Sequence, residues 1–175
     1  MATFYFVRHG EMDVKEINTK IYQGFGVNSL TLSPLGVEQI KATAKDDRLK
    51  GADLIITSPF GRAMHTASIL SKELDVDMVV ETDLHEWLAD KDYRWIEDNA
   101  AMKSFMEFAQ KRGIKDETCK YNWETLESIV KRVDAVLEKY KKLNKVIVVS
   151  HGAVIQCFLG VPHPHNGEVF EYVLK

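Results

Sequence analysis

The sequence predicts an α/β fold, a three-layer α/β/α sandwich built on a mostly parallel central sheet. Three observations carry this reading. Short apolar runs of strand length alternate along the chain with segments of helical periodicity. The run Val146-Ile147-Val148-Val149 is continuously hydrophobic, the pattern of a strand covered on both faces in a parallel sheet. Three of the runs also end in comparable polar sequences: Arg8-His9-Gly10, Ser58-Pro59 followed by Arg62, and Ser150-His151-Gly152. In parallel α/β sheets the ligand crevice lies beyond the carboxyl ends of the strands, so these termini are expected to converge.

Thr3 to Val7 is aromatic and β-branched and stops at Arg8-His9-Gly10, a first strand with a polar end. An irregular stretch follows to Leu32. Ser33-Pro34 then reads as N-cap and first position of a helix with Val37, Ile40 and Ala44 on one face, closed by Gly51. Asp53 to Thr57 is a second strand, after which Ser58-Pro59 is expected to open a helix carrying Ala63, Ala67, Leu70 and Leu74. A weak strand spans Met78 to Val80, and residues 82–98, with Trp87, Tyr93 and Trp95, read as a loop with some local helix.

Helical periodicity resumes from Asn99 to Lys111. Asn122 is the expected cap of a long helix to about Lys142, with Leu126, Ile129, Val133, Val136, Leu137 and Tyr140 as its buried stripe. The strand Val146–Val149, a short helix from Ala153 to Leu159, a turn with two prolines and two histidines, and a strand near Glu168 to Val173 complete the pattern.

A length of 175 residues suits a single domain over 1–175, and 45% hydrophobic with 28% charged residues excludes disordered and disulfide-scaffold classes. A formal charge of −3 points to neither nucleic acid nor an anionic membrane as partner, so any anion site must be local. No apolar run approaches the roughly 20 residues needed to span a bilayer. Met1 leads directly into the first strand without a basic leader, and Cys119 and Cys157 form no pair or metal-ligand spacing. The cytoplasm is the expected location.

Arg8 and Arg62 are permanently charged forks suited to phosphate or carboxylate oxygens. Helix starts near Pro59 and Gly152 would add backbone N–H groups to the same anion site. A neutral imidazole is a nucleophile toward phosphorus when its other nitrogen is held as a donor, and either His9 or His151 can serve. The other histidine, if protonated, would stabilise charge on the transferring group. An alkoxide leaving group needs a proton from a third segment, and Glu86 in Leu84-His85-Glu86-Trp87 is the candidate.

The segments Phe6-Val7-Arg8-His9-Gly10-Glu11, Ser58-Pro59-Phe60-Gly61-Arg62-Ala63-Met64-His65-Thr66-Ala67 and Val149-Ser150-His151-Gly152 resemble, in order and spacing, the signatures of the histidine phosphatase (phosphoglycerate mutase-like) superfamily. Gln23-Gly24, the stretch from Leu32 to Gln39, and Leu84-His85-Glu86 extend the resemblance over nearly the whole chain. It implies a phosphoglycerate mutase-like fold and a phosphomonoester hydrolase. His9 would be transiently phosphorylated, Arg8, Arg62 and His151 would hold the phosphoryl group, and Glu86 would act as proton donor and then as general base. The residues alone leave the choice between His9 and His151 open; the resemblance assigns attack to His9. It also brings Gln23 and Gly24 to the phosphate site, and it implies no metal and no other cofactor. The implied partner is inorganic phosphate or a small phosphorylated metabolite.

Two stretches depart from the family pattern. Met12, Asp13, Val14 and Lys15 stand where relatives often carry Ser or Thr and then Asn, and Trp87 to Tyr93 replaces the usual residues after the acid. Lys15, Lys91 and Arg94 are therefore the expected contacts for a second anionic group. Trp123-Glu124-Thr125 with Arg132 resembles a supporting element of the family. Trp87, Tyr93 and Trp95 read either as a pocket mouth or as buried packing area, His65 and His85 as local packing residues, and His163 and His165 as part of a surface turn. Two other readings stay open: phosphoglycerate mutase-type transfer, and a phospholigand-binding module without turnover. Family mutases are generally longer, which favours hydrolysis.

Overall fold

The computed structural model describes residues 1–17 and 19–174. Its five strands are β1 (Thr3–Arg8), β2 (Leu54–Thr57), β3 (Met78–Val80), β4 (Lys145–Ser150) and β5 (Val169–Val173). They form one sheet in the order β3-β2-β4-β1-β5. β1, β4, β2 and β3 are parallel, and β5 runs antiparallel on the edge of β1. The helices are α1 (Pro34–Thr43), α2 (Gly61–Leu74), α3 (Asp98–Gln110), α4 (Leu126–Lys139) and α5 (Gly152–Leu159). None is long and apolar enough to cross a membrane.

Alternation along each strand divides the core in two. Phe4 and Phe6 of β1, Ile56 of β2 and Val146 and Val148 of β4 pack with Ile129, Val133, Val136 and Leu137 of α4 and with Val154 and Ile155 of α5. Tyr5, Val7, Ile55, Ile147 and Val149 face the other way, onto Ile40 of α1 and Ala63, Ala67 and Leu70 of α2. The central strands are thus covered on both sides, as the α/β/α reading expects. Burying each of the larger side chains contributes about 1.5–3 kcal/mol.

Two helix starts differ from the expected positions. Ser33 does cap α1, its Oγ accepting from Gly36 N at 3.0 Å with Pro34 at the first helical position. Ser58-Pro59 does not play that part for α2, which begins at Gly61 with Phe60 as N-cap. Asn122 does not cap α4 either; Thr125 does, its Oγ1 accepting from Ser128 N at 3.2 Å. The Asn122 amide instead donates to the carboxylates of Asp90 at 3.2 Å and Asp92 at 2.9 Å, holding the loop that follows Glu86.

Register aligns the functional ends. Arg8 pairs with Ser150 across β1 and β4, and Thr57 with Val149 across β2 and β4. His9 N donates to Ser150 O at 3.1 Å and Ser58 N to Val149 O at 3.0 Å. The three polar termini therefore leave adjacent strands at one level.

Candidate active site

His9 is buried just past β1. Its Nδ1 lies 2.7 Å from the carbonyl oxygen of Gly10, which makes Nδ1–H the donor. The lone pair then resides on Nε2, and this nitrogen accepts from Nε of Arg62 at 3.3 Å. The Gly10 N–H donates to Thr66 Oγ1 at 3.1 Å, and the Thr66 hydroxyl donates to Arg62 O at 2.9 Å, so β1 and α2 are locked beside the imidazole. Asn166 donates to His9 O at 2.8 Å from the opposite side. Burial first, then the Arg62 guanidinium, pushes the His9 pKa down to about 3, with Arg8 adding a smaller effect in the same direction. The imidazole is therefore neutral at pH 7.

His151, completely buried, meets His9 ring to ring with centroids 5.2 Å apart. Its Nε2 lies 2.7 Å from Ser58 Oγ. Burial, followed by the charge of Arg62, holds its pKa well below the ordinary histidine value. His151 Nδ1 and Arg8 Nε are buried and have no hydrogen-bond partner among the described residues. Two such polar atoms at one sheet edge, beside the buried guanidinium of Arg62, are what an anion-binding site leaves for its ligand to satisfy. Arg8 is anchored through Nη1 to Pro164 O at 2.5 Å.

Arg62 lies in the first turn of α2, its guanidinium 5.1 Å from the Phe60 ring centroid. Neither α2 nor α5 has a side-chain cap, so their first backbone N–H groups remain available at the strand-end crevice. A Cβ on Gly152 would come within 2.4 Å of the His163 ring and 3.3 Å of Arg8 Nε. Glycine at 152 lets both side chains approach the start of α5.

Glu86 and Arg62 line one cavity of about 230 Å³, bordered by Phe25, Trp87, Tyr93 and Trp95. The Glu86 carboxylate accepts from Trp87 N at 2.9 Å and acts electrostatically on both Arg8 and Arg62. Its loop is held from below by Glu124, whose carboxylate pairs with Arg132 at 2.7 and 3.1 Å and accepts from Leu88 N at 3.3 Å. A wider concavity of about 770 Å³ between Gly113 and the start of α4 contains none of these residues.

The structure thus brings together Arg8, His9, Arg62, Glu86 and His151. It does not bring Lys15 to them: Lys15 lines a separate hollow with Asp13, Glu16 and Tyr22. Gln23 is exposed, and Gly24 sits under the Trp95 ring with φ +54°. Sequence reasoning missed the contacts by which Ser58, Thr66 and Asn166 orient the two histidines; His163 is exposed, as expected of a surface turn, yet its ring reaches the start of α5 beside Arg8. Ser58 and Thr66 stand in the segment that resembles the family signature, which does not say which groups they meet, and Asn166 carries no local signal. The closeness of His163 to Arg8 follows from the turn at Pro162 and Pro164, which periodicity does not register.

A family model described as the histidine phosphatase superfamily (branch 1) matches residues 4–163. The chain belongs to this superfamily. Among its relatives, the uncharacterized phosphatase PhoE of Bacillus subtilis (strain 168) is 29% identical over 168 residues, covering 91% of this chain and 76% of that protein. A putative phosphoserine phosphatase 2 of Hydrogenobacter thermophilus is 28% identical, with 91% and 77% covered. The solved structure of Entamoeba histolytica phosphoserine phosphatase in complex with 3-phosphoglyceric acid superimposes with a TM-score of 0.69 at 18% identity, covering 99% of this chain and 91% of that one. That likeness establishes the histidine phosphatase fold.

Proposed function

We propose that the chain is a phosphomonoester hydrolase working through a phosphohistidine on His9. The observation that carries this reading is the tautomer of His9. With Nδ1–H spent on Gly10 O, the Nε2 lone pair faces Arg62 in a buried, cationic setting.

The ester phosphate is held by Arg8, Arg62 and His151, and its negative charge meets the buried guanidinium of Arg62 and the half-buried one of Arg8. His9 Nε2 attacks phosphorus in line, the bond to the ester oxygen breaks, and that oxygen leaves with the proton of Glu86. Water then attacks the phosphohistidine, Glu86 takes its proton, and the N–P bond breaks to release orthophosphate and neutral His9. The balance requires Glu86 to enter the first step protonated and to leave it as the carboxylate that accepts the proton of water in the second. The relatives named as phosphatases support the hydrolytic reading.

The test is release of inorganic phosphate from p-nitrophenyl phosphate and from a set of phosphorylated metabolites. Wild-type protein turns over at least one of them, and His9→Ala loses about 10⁴-fold or more. Undiminished turnover by His9→Ala would exclude the mechanism.

A further inference from the structure

We propose that the aromatic mouth beside Arg62 is the subsite for the alcohol part of the substrate. It selects phosphomonoesters of uncharged alcohols that present a flat apolar ring near the ester oxygen. The inference rests on the hydrolase reading above and adds the substrate class to it.

Phe25 and Tyr93 stack with centroids 4.8 Å apart and planes 5° from parallel, and Trp95 meets Phe25 edge-on at 5.3 Å. These aromatics come from two distant segments, which Asn28 also ties together by donating to the Tyr93 hydroxyl at 3.4 Å. All three rings remain 40–47% exposed, so packing alone does not account for them; they hold apolar surface in water at the entrance of the cavity that contains Arg62 and Glu86. An engineered cavity of roughly 150 Å³ takes up benzene. The present volume of about 230 Å³ therefore has room for a ring.

Charge argues in the same direction. The cationic residues lining this cavity are Arg62 and Arg94, set against Glu86, Asp90 and Asp98. Arg62 is committed to the His9 side, and Arg94 is paired with Asp90 at 2.9 Å and Asp92 at 3.5 Å. Neither Lys15 nor Lys91 lines the cavity. A carboxylate or second phosphate on the alcohol would meet carboxylates and aromatic faces with no spare cation, a desolvation cost without compensation. A neutral ring would displace water from three aromatic surfaces.

The experiment measures binding without turnover, by calorimetry with inorganic phosphate, methylphosphonate, phenylphosphonate and phosphonoacetate. Phenylphosphonate is expected to bind about tenfold tighter than methylphosphonate, with phosphonoacetate no tighter than methylphosphonate. In Trp95→Ala and Phe25→Ala, whose circular dichroism should match wild type because both side chains are half-exposed, the phenyl-to-methyl ratio falls towards one. Equal binding of the phenyl and methyl compounds, or tightest binding of phosphonoacetate, overturns the subsite while leaving the phosphate site intact. Failure of inorganic phosphate and all three phosphonates to bind overturns the hydrolase reading, and the subsite with it.

Discussion

Arg62 donates from Nε to Nε2 of His9 at 3.3 Å. A guanidinium on this nitrogen keeps the imidazole from being protonated, and under the proposed mechanism this is the nitrogen that attacks phosphorus. In the proposed reaction Arg62 serves two states: it holds the lone pair in the free protein and the phosphoryl oxygens once a substrate has entered.

The first prediction concerns acid. The unfolded chain protonates His9 near the ordinary value of 6.5, whereas the folded chain resists until about 3. The unfolded state therefore binds more protons across this window, and stability falls as pH drops from about 6.5 towards 3. His151 acts in the same direction. One unit corresponds to about 1.4 kcal/mol, so His9 alone accounts for roughly 4 to 5 kcal/mol over the full window. Urea midpoints between pH 6.5 and 5.5, where ordinary carboxylates stay ionised, should decline in wild type and decline less in His9→Gln.

Glu86→Gln removes the proposed proton donor and leaves the cationic pocket in place. Alkyl phosphates, whose leaving oxygen needs the proton, should lose about 10²- to 10⁴-fold in kcat, and p-nitrophenyl phosphate much less. A leaving-group series checks this, and equal losses across it would remove Glu86 from that role.

How much of this was legible in the sequence follows from what each residue answers to. Periodicity and strand-end motifs pointed to the sheet and to Arg8, His9, Arg62 and His151, because burial on two faces and polar termini leave one-dimensional traces; Glu86 answered only to the need for an acid from a third segment. The cap of α4 was misplaced because Asn122 and Thr125 are both good capping residues; three-dimensional context decided, with Asp90 and Asp92 engaging the Asn122 amide. Ser58-Pro59 misled similarly, since the Ser58 hydroxyl is engaged by His151. The antiparallel direction of β5 and the placing of Lys15 in a separate hollow depend on loop paths that no local pattern encodes.

Gly61→Ala tests the seat of Arg62. Alanine is favoured over glycine within a helix by about 1 kcal/mol, but a Cβ here would stand 2.5 Å from Ser29 O and 2.8 Å from Leu30 O. These are backbone atoms that cannot swing aside, and relieving such overlap costs about 1–3 kcal/mol. The clash wins, so thermal denaturation should show a net loss, with weaker phosphate binding as α2 shifts.

Glu124→Gln should destabilise by about 3 kcal/mol, because it strands a nearly buried guanidinium. Arg132 and Glu124 side chains are only 10% and 4% exposed. The same carboxylate holds Leu88 N, so kcat should also drop as Glu86 loses its footing. Chemical denaturation and steady-state kinetics on one preparation check both effects.

The most direct measurement is to trap the intermediate. Wild-type protein mixed with a ³²P-labelled aryl phosphate and quenched in alkali should carry label that acid removes, on a peptide containing His9, and His9→Ala should carry none. Steady turnover by wild-type protein with no labelled histidine, or with label that survives acid on another residue, would contradict the account.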